Sequence, residues 1–284
     1  MSMALLQPPV PAAPEPVPQL LRDLIHDRTG IYFPADRIGA MIEKLASRVL
    51  ARGCQTYLDY YYILKYEDKG PEEWLRVMDA FSVPETYFWR EGDQLQALVN
   101  VLVPEWFRRS SSTPLRIWSA ACATGEEPYS IVMALHEAGW SNHPITITAS
   151  DASEAALEKA RAGLYRERSF RSLPAKLREK YFRPSNGLSR IDAAIASRVT
   201  FQRANLVAAA DIRPLARVDV IFCRNVFIYF SPEAIARVVA SFAQQTAPGS
   251  HLFVGASESL LKLTDDYELT EIAGAFGYRR KEQA

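Results

Sequence analysis

The stretch Leu115-Arg116-Ile117-Trp118-Ser119-Ala120-Ala121-Cys122-Ala123-Thr124-Gly125-Glu126-Glu127-Pro128 decides the fold. Residues 115–121 form an apolar run of strand length. Ala123, Thr124 and Gly125 make a turn of small residues, and Gly125 permits tight backbone geometry. A helix is expected next, over residues 128–138. The same alternation then repeats. Strands are expected at 145–149, 199–202, 218–223 and 251–255, and helices at 153–162 and 232–246. Ser231 is placed to cap the last helix, with Pro232 at its first position. Alternating strands and helices give a mostly parallel sheet covered on both faces, an α/β fold. Two short strands at 267–271 and 277–280, about a glycine-containing turn, add antiparallel character.

Working outward, residues 164–198 break the alternation. A helix at 174–181, the turn Pro184-Ser185-Asn186-Gly187 and a short strand pattern suggest a small inserted β-subdomain at about 165–198. Upstream, residues 95–109 read as a helix that ends in three serines. Residues 18–92 read as a helical domain. Leu20, Leu21, Leu24 and Ile25 recur at helix spacing. Residues 36–52 put Ile38, Met41, Ile42, Leu45 and Val49 on one face and Arg37, Lys44 and Arg48 on another, with Gly53 as the stop. Helices are also expected at 57–66 and 72–81. The first 17 residues contain five prolines and little core material, so a disordered or polyproline arm is expected there. The remainder, 93–284, is expected to be the α/β domain.

Bulk properties narrow the function. The 284 residues carry 33 basic and 33 acidic side chains, so no global field draws the chain to nucleic acid or membrane. Cys54, Cys122 and Cys223 are scattered, and the four histidines have no ligand spacing; neither a disulfide framework nor a metal site is expected. No apolar run approaches the ~18 residues that span a bilayer, and no secretory signal is evident. A cytoplasmic setting is expected.

Ligands of doubly wound sheets bind at the carboxyl ends of the parallel strands, so those ends carry the chemistry. After the first strand there is no G-x-G-x-x-G; Glu126 and Glu127 open the helix instead. Two carboxylates would repel a pyrophosphate but suit a cationic ligand such as a sulfonium nucleoside, and they serve equally as simple partners of the helix dipole. After the second strand, Asp151 is placed to grip ribose hydroxyls or to cap a helix. After the third come Asn205 and Leu206, an amide and an apolar residue suited to an adenine ring, or plain loop residues. After the fourth, Arg224-Asn225-Val226-Phe227-Ile228-Tyr229-Phe230 forms an aromatic-rich turn that lines a substrate slot or packs on the sheet. Ahead of the α/β domain, Thr86-Tyr87-Phe88-Trp89-Arg90 reads as an aromatic lid with a carboxylate-binding cation, or as an interdomain plug.

Together these residues resemble the chemotaxis receptor glutamate O-methyltransferases, the CheR family, from about residue 20 to 280. The resemblance rests on residues 118–130, 149–151 and 221–230, supported by Gly163-Leu164-Tyr165 and Ala256-Ser257-Glu258-Ser259. It implies an S-adenosylmethionine-dependent methyltransferase with a Rossmann-like sheet, a small inserted β-subdomain and an N-terminal all-α helical domain. By matching motif positions, Thr86, Arg90, Glu126, Glu127, Asp151, Asn205, Leu206, Arg224 and Asn225 resemble the cofactor pocket. Arg90 and Tyr229 resemble the active-site pair, and no metal is implied. Pro84 stands where family members often have Asn, which puts a contact from that position in doubt. The resemblance further implies transfer of the methyl group to glutamate carboxylates of chemoreceptors. Arg37, Lys44 and Arg48 would form the docking face for a receptor helix, or a solvated helix face. The short 184–187 turn leads us to expect no need for a C-terminal receptor pentapeptide. The other readings are a methyltransferase acting on RNA or another carboxylate, and a non-catalytic S-adenosylmethionine-binding signalling module.

Overall fold

The computed structural model describes residues 14–67, 70–83, 85–109 and 112–282. The chain divides into two compact units, between Ser82 and Val83.

The first unit contains α1 (Val17–Thr29), α2 (Ile38–Ala51), α3 (Tyr57–Tyr66) and α4 (Gly70–Phe81). Each contributes one apolar face to a shared core: Leu21 and Ile25 from α1, Met41, Leu45 and Val49 from α2, Tyr57, Tyr60 and Leu64 from α3, Val77 and Phe81 from α4. The boundaries follow local chemistry. Gly53 takes a left-handed φ of 68° just past α2. Thr56 and Asp59 form a reciprocal capping box at the start of α3. Most of the arm expected over residues 1–17 lies outside the described residues, but Val17 is already helical and buried.

The second unit begins with α5 (Gly92–Ala97) and α6 (Val103–Arg109), joined through a wider π-helical turn at Leu98–Leu102. Then come β1 (Leu115–Ala120), α7 (Glu126–Glu137), β2 (Ile145–Asp151), α8 (Glu154–Ala162), β3 (Leu164–Tyr165), α9 (Ala175–Tyr181), β4 (Phe182–Ser185), β5 (Leu188–Ile191) and α10 (Ala193–Ala196). The chain finishes with β6 (Val199–Arg203), α11 (Ala209–Leu215), β7 (Val220–Cys223), α12 (Pro232–Gln245), β8 (His251–Phe253), β9 (Tyr267–Ile272) and β10 (Ala275–Arg280). The main sheet has the order β6-β2-β1-β7-β8-β10-β9. The first five strands run parallel, and β10 and β9 are antiparallel.

Period-two alternation sends side chains to opposite faces of this sheet. Ile117, Val220 and Phe222 join one core with Leu95, Leu98, Tyr129 and Ile131. Trp118, Ile221 and Cys223 join the other with Ile212, Leu215, Val238 and Phe242. From β1 the chain steps outward through β2 to β6, then crosses back to β7 on the other side of β1. The switch point therefore lies between the carboxyl ends of β1 and β7, where Ala120 pairs with Cys223.

The inserted segment forms its own antiparallel sheet, β3-β5-β4. Asn186 and Gly187, both at positive φ, make the two-residue turn between β4 and β5. This sheet also explains why the second unit starts earlier than the sequence suggested. Phe88 is fully buried, with ring centroids 4.7 Å from Tyr165, 5.4 Å from Phe170 and 4.9 Å from Phe182. Its backbone N–H donates to the Ser169 carbonyl at 2.9 Å. The aromatic stretch before α5 thus belongs to the second unit's core.

Candidate active site

The site gathers where four parallel strands end. At the end of β1 the backbone turns through left-handed residues, Ala121 at 56°, Ala123 at 47° and Gly125 at 91°. A Cβ on Gly125 would lie 2.9 Å from the Ala160 Cβ, so both conformation and space demand glycine. The turn delivers Glu126 and Glu127 to the first turn of α7, and they diverge there. Glu127 Oε1 accepts from Ser119 Oγ at 2.6 Å, and Oε2 accepts from Arg224 Nε at 2.7 Å. This pair bridges β1 and β7 at the switch point.

Glu126 points elsewhere. It is 2% exposed, and its oxygens accept from Thr124 Oγ1 at 2.6 Å and Ser169 Oγ at 3.0 Å. Burial pushes its carboxyl pKa up, against the pull of these hydroxyls. Glu126 therefore ties the inserted segment to the turn, while Glu127 lies at the switch point. Arg224 is also buried at the switch point. Its side chain is 2% exposed. Besides Glu127 it donates to the Arg90 carbonyl at 2.9 Å and to Gln94 Oε1 at 3.2 Å. The guanidinium thus forms the floor under Glu127.

Asp151 occupies the last position of β2. It accepts from the Ala123 N–H and the Ser153 N–H, each at 2.9 Å, which locks the β1 turn to the β2 end. Asn205 follows β6; its Oδ1 accepts from the Val207 N–H at 3.2 Å, and Leu206 beside it is buried. Thr86 is half-buried. Pro84 lies outside the described residues.

After β7, Asn225 adopts a left-handed φ of 59° and leads into a short 3-10 turn, Phe227–Tyr229. Tyr229 is half-buried; burial raises its phenol pKa, while the nearby Arg90 charge pulls the other way. The phenol is therefore a neutral donor at physiological pH. Arg90 Nη1 donates to the Glu85 carbonyl at 3.1 Å, and its guanidinium lies 5.3 Å from the Tyr87 ring centre. Two carboxylates overlooked as site residues also converge here. Glu91 Oε1 accepts from the Ala256 N–H at 3.2 Å and from Asn225 Nδ2 at 3.4 Å. Glu258 accepts from backbone N–H groups on both sides of the crevice mouth. Only the Ala256-Ser257-Glu258-Ser259 stretch carried a trace of this in the sequence.

The arrangement is anionic. Four carboxylates, Glu91, Glu127, Asp151 and Glu258, stand at these strand ends beside two guanidiniums, and Arg224 pairs with Glu127 at 2.7 Å and Glu91 at 3.7 Å. Ionised carboxylates have about two lone-pair sites on each oxygen, so Glu127 retains acceptor capacity beyond its bonds to Ser119 and Arg224. Spare acceptors with excess negative charge suit a ligand carrying ammonium, sulfonium and ribose hydroxyls, and repel a pyrophosphate.

Residues 84–276 match the family described as CheR methyltransferase, SAM binding domain, and residues 19–82 match CheR methyltransferase, all-alpha domain. The chain belongs to the CheR methyltransferase family. It is similar to Chemotaxis protein methyltransferase 2 of Vibrio cholerae, 35% identical over 260 residues and covering 90% of each chain. It is similar also to Chemotaxis protein methyltransferase 1 of Pseudomonas aeruginosa, 31% identical over 270 residues, covering 93% of this chain and 97% of that one. A third relative, from Klebsiella aerogenes, is 34% identical over 254 residues, covering 88% and 85%. As a CheR methyltransferase the chain uses S-adenosylmethionine. The donor set at the strand ends fits that cofactor. Among the described residues no helix is long and apolar enough to cross a membrane.

Proposed function

We propose that this protein methylates glutamate side chains of chemoreceptors at the β1–β7 switch point. The Glu127–Arg224 bridge carries the reading, because it builds an acid-lined floor where a doubly wound sheet binds its ligand. S-adenosylmethionine supplies a methyl carbon made electrophilic by the adjoining sulfonium. Glu127 and Asp151 hold that cofactor by its cationic and ribose ends, and Thr86, Asn205, Leu206 and the backbone at Asn225 complete the pocket.

The substrate carboxylate is ionised at neutral pH, with an ordinary pKa near ~4.3, so no general base is required. One carboxylate oxygen forms the new O–C bond as the C–S bond breaks and its electron pair stays on sulfur. Positive and negative charges vanish together, and no proton moves. The protein's contribution is alignment and exclusion of water. Arg90 and the Tyr229 hydroxyl orient the incoming carboxylate. Arg90 is shared with the Glu85 carbonyl and the Tyr87 ring, which keeps it from gripping the anion too tightly and quenching its nucleophilicity.

Arg37, at the N-cap of α2, and Lys44 on α2 are exposed and offer a cationic face to an acidic receptor helix. Arg48 contributes less, because Glu73 takes two of its donors, at 2.9 and 2.8 Å. The two-residue turn between β4 and β5 lacks an extension for a receptor tail, and we place this enzyme among those needing no pentapeptide tether. Titration with such a peptide should give no micromolar binding; micromolar binding counts against that point.

The function is tested by incubating the protein with methyl-labelled S-adenosylmethionine and receptor membranes. Base-labile methyl ester on glutamate is expected. Arg90→Ala should cut transfer by about a hundredfold while the fold is retained. Wild-type transfer in that variant removes Arg90 from the mechanism, and label that is absent or resists base removes the substrate assignment.

A further inference from the structure

We infer that Glu258 is the positioning residue of the active-site loop, holding the turn that presents Tyr229 to the substrate. The inference rests on the proposed reaction for its kinetic consequence, but its structural basis is independent of it.

Residues 224–230 have little local support. Asn225 is left-handed, and the 3-10 turn Phe227–Tyr229 receives no capping side chain from its own N-terminal neighbour, Val226. The free N–H groups of such a turn need a partner from elsewhere. Glu258, arriving from beyond β8, supplies it. Its Oε1 accepts from Phe227 N–H at 2.7 Å and Ile228 N–H at 3.3 Å. Its Oε2 accepts from Asn225 N–H at 2.8 Å and Gly255 N–H at 2.6 Å. Four donors fill the roughly four lone-pair sites of a carboxylate, so Glu258 has no capacity left for substrate or cofactor. It acts through the loop and makes no catalytic contact itself.

Gly255 is shaped to this clamp. A Cβ there would lie 2.4 Å from Asn225 Nδ2 and 2.9 Å from Glu258 Oε2, so a larger residue would have to push these two side chains out of the clamp. Glu91 fastens the same pair of loops from the other side, through Asn225 Nδ2 and the Ala256 N–H. Since Glu91 follows Arg90 directly, the clamp connects the Arg90 and Tyr229 segments.

The test uses the full chain as wild type, Glu258→Gln and Glu258→Asp. Gln keeps the shape but presents donors to donors; Asp keeps the charge at shorter reach. Receptor-methylation kcat is measured beside calorimetric affinity for S-adenosylhomocysteine. Glu258→Gln should lose at least thirtyfold in kcat while affinity changes less than fivefold, and Glu258→Asp should recover most of the loss. A kcat within twofold of wild type in Glu258→Gln, or a parallel loss of kcat and affinity with no recovery in Glu258→Asp, overturns the inference.

A second readout needs no receptor. With ring-labelled tyrosine, the Tyr229 resonance is identified by its absence in Tyr229→Phe. It should move in Glu258→Gln, and less in Glu258→Asp; an unmoved resonance overturns the inference. Should Glu258→Gln fail to fold, the Asp variant decides alone: a shifted Tyr229 signal with a five- to tenfold kcat loss supports the role, and wild-type values for both refute it. Wild-type protein that leaves no methyl ester defeats the functional reading instead, while the resonance still judges the clamp.

Discussion

Glu126 and Glu127 are adjacent in sequence and do different work. Neighbours in a helix's first turn point in directions about 100° apart, so one meets Ser119 and Arg224 at the crevice and the other meets Ser169 in the inserted segment. Burial raises the Glu126 pKa, which makes the protonated form the one the fold prefers. Its stabilising contribution is full below the unfolded carboxyl pKa and is lost as pH rises through the raised folded value. Glu126→Gln, which never ionises, should therefore gain in thermal midpoint relative to wild type as pH rises from about 4 to about 8. A difference that stays flat or shrinks contradicts this account. The acidic pair was legible in the sequence; the buried partner of Glu126 was not, because that is a hydroxyl 43 positions away. The environment of Arg224 was hidden for the same kind of reason. Its place beside Asn225 suggested a ligand contact; the buried ion pair with Glu127, 97 positions away, was not visible in the sequence.

At the scale of elements, the α/β alternation was readable because parallel strands covered on both faces are continuous apolar runs. Asp151 proved to be the last residue of β2 where a loop position was expected, a shift within the ordinary uncertainty of strand ends. The antiparallel sheet β3-β5-β4 was only partly legible. β3 has two residues, and Phe88, which fills the core behind it, comes from a segment far upstream. Phe88→Ala should cost about 3–5 kcal/mol of stability, as large aromatic truncations in tight cores do. Urea unfolding of the full chain measures it, and a loss below about 1 kcal/mol would mean the aromatic cage is not a packed core.

At the scale of the whole molecule, neutrality hides a division of labour, with a basic face on α2 and an anionic crevice in the second unit. Composition alone discloses neither. Charge reversal of the exposed pair, Arg37→Glu with Lys44→Glu, should raise the receptor KM about tenfold with kcat unchanged, and should flatten the dependence of wild-type rates on salt. An unaltered KM would return these residues to a solvated helix face. Arg48→Ala should act differently. It leaves buried Glu73 only Tyr60 at 2.7 Å and the more distant Arg52 at 3.8 Å, and should lower stability by about 3 kcal/mol. The claim on which the mechanism depends is that the acid-lined strand ends hold the methyl donor. Calorimetry with S-adenosylhomocysteine on wild type and Asp151→Ala tests it most directly. The account predicts one site of micromolar or tighter affinity, weakened at least tenfold by the substitution; no binding, or equal binding by both proteins, would contradict it.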